Sequence, residues 1–193
     1  GRTPNVAGIG LESVGVEVDG RPIEVDDRMR VGGRDWLYAI GDVNGRALLT
    51  HMGKYQARAA ADNILGKDAK ATRDTAQSPR VIFTDPEVAA VGYTLADAKD
   101  AGMKVSAVDV STAGTPGASF HGRGATGTSR LVIDDERRVV VGATFTGPDV
   151  NELLHAATIA IVGEVPVERL FEAVPAFPTR NEIWLNLLQA YGL

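Results

Sequence analysis

Apolar residues in the first part of the chain alternate with polar ones. Val14, Val16 and Val18 are separated by Gly15 and Glu17, a strand period, and Asp19-Gly20 is a two-residue hairpin signal. The return strand is expected over Pro22–Asp26, with Ile23 and Val25 on one face. A charged connection and Gly32-Gly33 then lead into Trp36–Val43, an apolar run ending in Gly41-Asp42-Val43 that reads as a buried strand. A helix is expected from about Leu48 to Leu65, alanine-rich from Tyr55, with Gly66 as its stop.

Lys67–Ser78 lacks large apolar residues, and a linker is placed at residues 71–78. Beyond it the pattern predicts strands at Arg80–Thr84, Val88–Tyr93 and Val105–Val110. A hairpin is expected from Arg130–Asp134 and Arg138–Thr146 around Asp135-Glu136. Thr94 is a good N-cap for a short helix, Leu95–Ala101, closed by Gly102. Ser111–Gly127, rich in small residues, is expected as a loop with a short strand. Further helices are predicted near Pro148–Val162, Pro166–Phe171 and Thr179–Tyr191. Trp184, Leu185, Leu187, Leu188 and Tyr191 give the last of these a broad apolar face, expected to lie in a subunit interface. The fold class expected is α/β up to the linker, then an α+β domain of antiparallel strands flanked by helices.

Composition narrows the picture. The 193 residues are 44% hydrophobic and 23% charged, as in a globular chain of one or two domains. No apolar run approaches the roughly 20 residues of a membrane span. The net charge of −5 offers no basic stripe for nucleic acid. With no Cys, disulfides and thiolate metal sites are excluded, and three scattered His do not suggest a metal centre. A cytoplasmic setting is expected. Gly1-Arg2-Thr3-Pro4-Asn5 shows no initiator Met and no signal or transit pattern, and is read as interior to a longer chain.

The candidate chemistry centres on Asp42. A carboxylate where a strand gives way to a helix stands where open α/β sheets bind ligands, and Gly41 permits close approach. The residues alone leave a second reading open, an ordinary turn with Asp42 at the start of a helix.

Three stretches then occur in register: Gly1-Arg2-Thr3-Pro4-Asn5, Tyr38-Ala39-Ile40-Gly41-Asp42-Val43, and Val81-Ile82-Phe83-Thr84-Asp85-Pro86-Glu87-Val88-Ala89-Ala90-Val91-Gly92. Together they resemble the carboxyl-terminal half of the class I flavin-dependent pyridine nucleotide–disulfide oxidoreductases, the family of dihydrolipoyl dehydrogenase and mercuric reductase. The resemblance implies that residues 1–70 are the returning part of an FAD-binding domain. Residues 79–193 would be the family's dimerisation domain, forming a homodimer. FAD and NAD(P)H are the implied cofactor and co-substrate. The implied partner is the amino-terminal half of the same protein, without which the 193 residues are expected to hold no cofactor and to be inactive.

By the same resemblance Gly41 and Asp42 bind FAD, Asp42 through a ribityl hydroxyl, and the backbone amides of Thr50 and His51 are candidate flavin contacts. For the His51 side chain, a plain polar role at a helix start stands beside this. The family's disulfide reductases carry His-Pro-Thr-x-x-Glu near the carboxyl end, whereas this chain has Phe177-Pro178-Thr179-Arg180-Asn181-Glu182. Glu182 is retained as the catalytic Glu of the pair, but Phe177 cannot carry a proton. Phe177 is expected either to stack near the partner's flavin, shaping a pocket for a quinone-like acceptor, or to be interface packing. Two alternatives remain beside a quinone-directed oxidoreductase: a disulfide reductase of the dihydrolipoyl dehydrogenase type, and a dimerisation module without activity of its own.

Overall fold

The structure, a computed structural model, describes residues 2–17, 19–122 and 126–193. Gly1 of the first motif, Val18 of the expected hairpin, residues 123–125 of the small-residue loop and the side chain of His121 lie outside the described residues. The chain forms two compact units, Gly1–Ser78 and Pro79–Leu193.

Among the described residues of the first unit the one α-helix is α1, Thr50–Ile64. Its buried face consists of Met52, Gln56, Ala59, Ala60 and Asn63, spaced at helical periods. Gly66, with φ +81°, turns the chain out, and Lys67 N–H bonds back to the Asp62 carbonyl. A small core gathers Met29, Ala59, Ala60 and Ala71 beside Val25, Tyr38, Tyr55 and Ala69.

The hairpin expected around Asp19-Gly20 does not form among the described residues. Leu11–Val14 is a 3-10 turn bracketed by Gly10 and Gly15, both at positive φ. The Arg34 guanidinium donates to the carbonyls of Val14 and Gly15 at 3.0 and 3.2 Å, taking acceptors that a ladder needs. The buried strand expected over Trp36–Val43 is also corrected. Arg30 and Tyr38 form an isolated bridge, flanked by Val31 N–H to Leu37 O and Ala39 N–H to Met29 O. Met29, Gly32 and Gly33 all have positive φ, so the neighbouring segment cannot extend the pairing. Trp36 is 61% exposed, and Gly41–Asn44 is a 3-10 turn.

Residues 71–78, expected as a linker, fold into this unit instead. Ala71 N–H bonds to the Asp27 carbonyl, and Ala71, Asp74 and Ser78 are buried. Its polar residues divide: Thr72, Arg73 and Thr75 face solvent, while Asp74 and Ser78 are buried and hydrogen-bonded.

The second unit is a five-stranded antiparallel sheet in the order β1-β2-β5-β4-β3. Its strands are β1 Arg80–Ile82, β2 Glu87–Gly92, β3 Val105–Ser111, β4 Thr128–Asp134 and β5 Val139–Gly147. The helices are α2 Leu95–Asp100, α3 Leu154–Val162, α4 Val167–Phe171 and α5 Ile183–Tyr191. Thr94 caps α2 through Asp97 N–H, as its position predicts. Between β3 and β4 the described residues hold a 3-10 helix, Pro116–His121, where a short strand was expected. Thr115 caps it, and Pro116 favours its first turn.

One sheet face buries Ala89, Leu131, Ile133, Ala143 and Phe145 under α3 and α5. The other packs Val132, Val139 and Val141 with Ala98 of α2. Val139 and Val141 share parity with Ala143 and Phe145 yet face the opposite way. The pairing of β4 with β5 skips Val141, since Val132 opposes Gly142 and Ile133 opposes Val140. This bulge reverses the alternation along β5. Gly92 and Gly142 pair beside it, where a β-carbon on Gly142 would stand 1.9 Å from the Tyr93 carbonyl oxygen. Trp184, Leu187 and Leu188 of α5 lie in this core, with Trp184 tilted against Phe145 at a 6.4 Å ring separation. The apolar face expected at a subunit interface is therefore consumed within the chain, because α5 is the cover for the sheet.

Candidate functional site: the Gly41–Asn44 turn on helix α1

Ile40 reaches the turn in extended conformation, and Gly41 enters it at φ +77°. Gly45, also at positive φ, closes it by donating to the Asp42 carbonyl at 3.1 Å. Beneath lies Gly53 of α1, where a β-carbon would come 3.3 Å from Gly41 Cα. The two glycines let the turn rest on the helix backbone. On the outer side, the position a Gly41 β-carbon would take has nothing within 4 Å.

The Asp42 side chain is 47% exposed, and its Oδ2 accepts from Arg2, which also donates to the Leu48 carbonyl at 3.0 Å. Leu49 is the extended N-cap of α1, and its side chain makes no capping bond. Thr50 and His51 open the helix on an exposed surface. A helix N-terminus concentrates N–H donors and about half a positive charge. The structure thus places Gly41, Asp42, Thr50 and His51 in one unit, as a turn and a helix start joined by Arg2 between Asp42 and Leu48.

Sequence reading missed what lies underneath. Gln56, fully buried, accepts at Oε1 from Gly41 N–H (2.7 Å) and from Asn44 Nδ2 (2.9 Å). Its Nε2 donates to the buried Asp74 carboxylate at 2.8 Å. Arg46 reaches both Asp74 oxygens at 3.0 Å and also bonds Asp27 and the Asp26 and Ala71 carbonyls. Asn44 donates to the Ala39 carbonyl and accepts from Arg46 N–H. The available signal was Gln56 itself, a polar residue in phase with Met52, Ala59 and Ala60 on the buried face of α1.

In the second unit, Glu182 closes a capping box with Thr179, accepting from Thr179 N–H at 3.2 Å. Phe177 precedes a cis peptide bond to Pro178 and is 75% exposed. A cavity of about 280 Å³ is lined by Ala156, Leu170, Ala173, Pro175, Asn181 and Trp184, apolar except for Asn181. Arg180 is half-buried and donates to the Pro148 carbonyl, and burial pulls its pKa below the usual arginine value. His155 is exposed on α3. Among the described residues no cluster of three or more His, Cys, Asp or Glu could hold a metal ion, and no helix is long and apolar enough to cross a membrane.

The profile of the pyridine nucleotide-disulphide oxidoreductase dimerisation domain matches residues 78–187, and the chain belongs to that family. It is 33% identical over 186 residues to dihydrolipoyl dehydrogenase of Bacillus subtilis, covering 96% of this chain and 39% of that protein. The dihydrolipoyl dehydrogenase of Chlamydia pneumoniae is 35% identical over 190 residues, covering 95% of this chain and again 39% of the relative. The chain thus spans about two fifths of the length of these relatives. Among solved structures, the HOCl-induced flavoprotein disulfide reductase RclA from Escherichia coli superposes with a TM-score of 0.84 at 24% identity, over 98% of this chain and 43% of that one. LpdA from Mycobacterium tuberculosis gives 0.86 at 22%, over 98% and 41%. These two likenesses concern the fold.

Proposed function

We propose that the protein carrying this chain is an FAD- and NAD(P)H-dependent oxidoreductase. In this reading the chain supplies part of the flavin site from its first unit and the homodimer surface from residues 79–193. One observation carries it: in a chain of this family, Asp42 extends an exposed carboxylate from a turn seated beside an N-terminus that no side chain of the N-cap residue closes. These residues fit the cofactor. The open space outside Gly41 admits a ligand to the backbone, and Asp42 accepts hydrogen bonds from ribityl hydroxyls. The Thr50 and His51 amides favour the electron-rich edge of a reduced ring. FAD, when bound, supplies the hydride relay between nicotinamide and acceptor.

The acceptor follows from Phe177. A phenyl ring holds no transferable proton, so Glu182, the retained member of the His-Glu pair, has no base to orient and serves to cap the last helix. We assign a flat, apolar, quinone-like acceptor, a choice supported by the exposed ring and by an apolar cavity lined in part by Pro175, two residues before Phe177 in the chain. A disulfide acceptor is the second reading, favoured by the similarity to dihydrolipoyl dehydrogenases.

The test is Asp42→Ala in the flavin-containing protein. A charge-assisted hydrogen bond contributes about 1.5–3 kcal/mol, so FAD affinity should fall roughly tenfold or more. Titration of apoprotein with FAD, followed by flavin fluorescence, reads this directly. Unchanged affinity would remove Asp42 from the site.

A further inference from the structure

Gln56 lies between groups of opposite character. The Asp74 carboxylate can only accept, while Gly41 N–H and Asn44 Nδ2 can only donate. One orientation of the Gln56 amide satisfies all three, with its NH₂ toward Asp74 and its oxygen toward the turn. Asp74 is held in turn by two Arg46 nitrogens at 3.0 Å. Every side chain between Asp74 and the turn is buried: Gln56 at 0% exposure, Asp74 at 1% and Asn44 at 6%. In such a setting a hydrogen bond of the wrong sense leaves a buried donor or acceptor unmet. Asp74 belongs to the polar run that ends the first unit, far from Asp42 in sequence, and nothing in that run hints at the site.

We infer that Asp74 and Gln56 are positioning residues. The carboxylate fixes the sense of the Gln56 amide, the amide oxygen pins Gly41 N–H and Asn44, and the turn so pinned presents Asp42 to the cofactor at a set height above the start of α1. Neither residue touches the ligand. The inference rests on the proposed flavin site and names the residues that preorganise it.

The donor–acceptor sense makes the inference testable with substitutions that keep shape. Gln56→Glu sets two carboxylates face to face and removes the donor toward Asp74. Asp74→Asn in the same protein removes the facing carboxylate and can offer a donor in its place, at the cost of the Arg46 Nε bond, because Asp74 Oδ2 accepts from both Gln56 and Arg46. The expected result, read as the FAD dissociation constant of reconstituted apoprotein, is about tenfold weaker binding for Gln56→Glu, the scale seen when supporting partners of a bound group are lost. The double variant should recover part of that loss, to within about threefold of the parent, since it removes the carboxylate repulsion but not the need for an Arg46 acceptor; a double-mutant cycle isolates the coupling. Apoprotein melting temperatures, measured alongside, report folding separately from cofactor affinity.

A folded Gln56→Glu protein with parental FAD affinity overturns the inference, because a packing role is indifferent to this isosteric change. If Gln56→Glu does not fold, Gln56→Met decides, keeping the volume without the amide: about tenfold weaker binding supports the positioning role, and a folded variant with parental FAD affinity overturns it. Asp42→Ala separates the two levels. If Asp42→Ala leaves FAD binding unchanged, the flavin-site reading fails. If it weakens binding while Gln56→Glu does not, only the positioning role fails.

Discussion

At the scale of single residues, hydrogen-bonding partners decide what a side chain does. Asp109 and Arg130 stand directly opposite each other on β3 and β4, joined by two bonds of 2.7 Å. The Arg130 guanidinium holds the Asp109 carboxyl below its ordinary value of 3.8. A carboxylate whose folded pKa is depressed stabilises the fold above its unfolded pKa, and that contribution disappears as pH falls through the lower folded value. Both side chains are nearly half exposed, so screening keeps the pair small. Asp109→Asn should cost about 0.2–1 kcal/mol at neutral pH. The difference in urea-unfolding free energy from the parent should shrink on acidification below pH 3.8 and vanish once the pH has passed the lower folded value. Asp42 makes a comparably exposed pair with Arg2, but its proposed role depends on what else can reach it.

At the scale of elements, the bulge in β5 is the feature on which the second unit's two cores depend. Gly142 lies under the Tyr93 backbone, and a methyl group there meets a carbonyl oxygen that cannot move without breaking the β2–β5 pairing. Gly142→Ala should therefore destabilise the protein by about 3 kcal/mol, the upper end of ordinary overpacking. Chemical denaturation checks this. A cost under about 1 kcal/mol would mean that the strands part easily at that point. On α1 the logic is different. Its buried stripe carries one large apolar side chain, Met52, beside Ala, Gln and Asn, and the Gln56 amide makes the hydrogen bonds by which it meets the Gly41–Asn44 turn.

At the scale of the whole molecule, the second unit exposes large apolar side chains that its own core does not use: Ile82 at the end of β1 and Phe83 after it, Ile159 and Val162 on α3, and Val174 before α5. The matched family is a dimerisation domain, so these side chains are expected to face a second copy. Sedimentation of the 193 residues alone, followed at protein and flavin wavelengths, should show a dimer without flavin. A monomer at high micromolar concentration would count against residues 79–193 as a sufficient interface. Flavin moving with the protein would show that Asp42 and its neighbours hold FAD unaided.

What the sequence determined by itself was the second unit's succession of strands and helices, the Thr94 cap and the Gly41-Asp42 motif. These rest on local periodicity, on capping chemistry and on glycine's access to positive φ, all properties of neighbouring residues. The rest depended on groups distant in sequence. Where the hairpin was expected, Arg34 reaches back to the Val14 and Gly15 carbonyls and Ile23 N–H bonds to the Val43 carbonyl. The skipped Val141 and the burial of α5 against the sheet appear only once strands pair and helices cover them. The support beneath Asp42 joins Asn44, Gln56 and Asp74, whose buried hydrogen bonds span up to 18 residues. Side-chain polarity alone could not show whether these groups meet water or each other, because only tertiary packing removes the water and makes the partner obligatory.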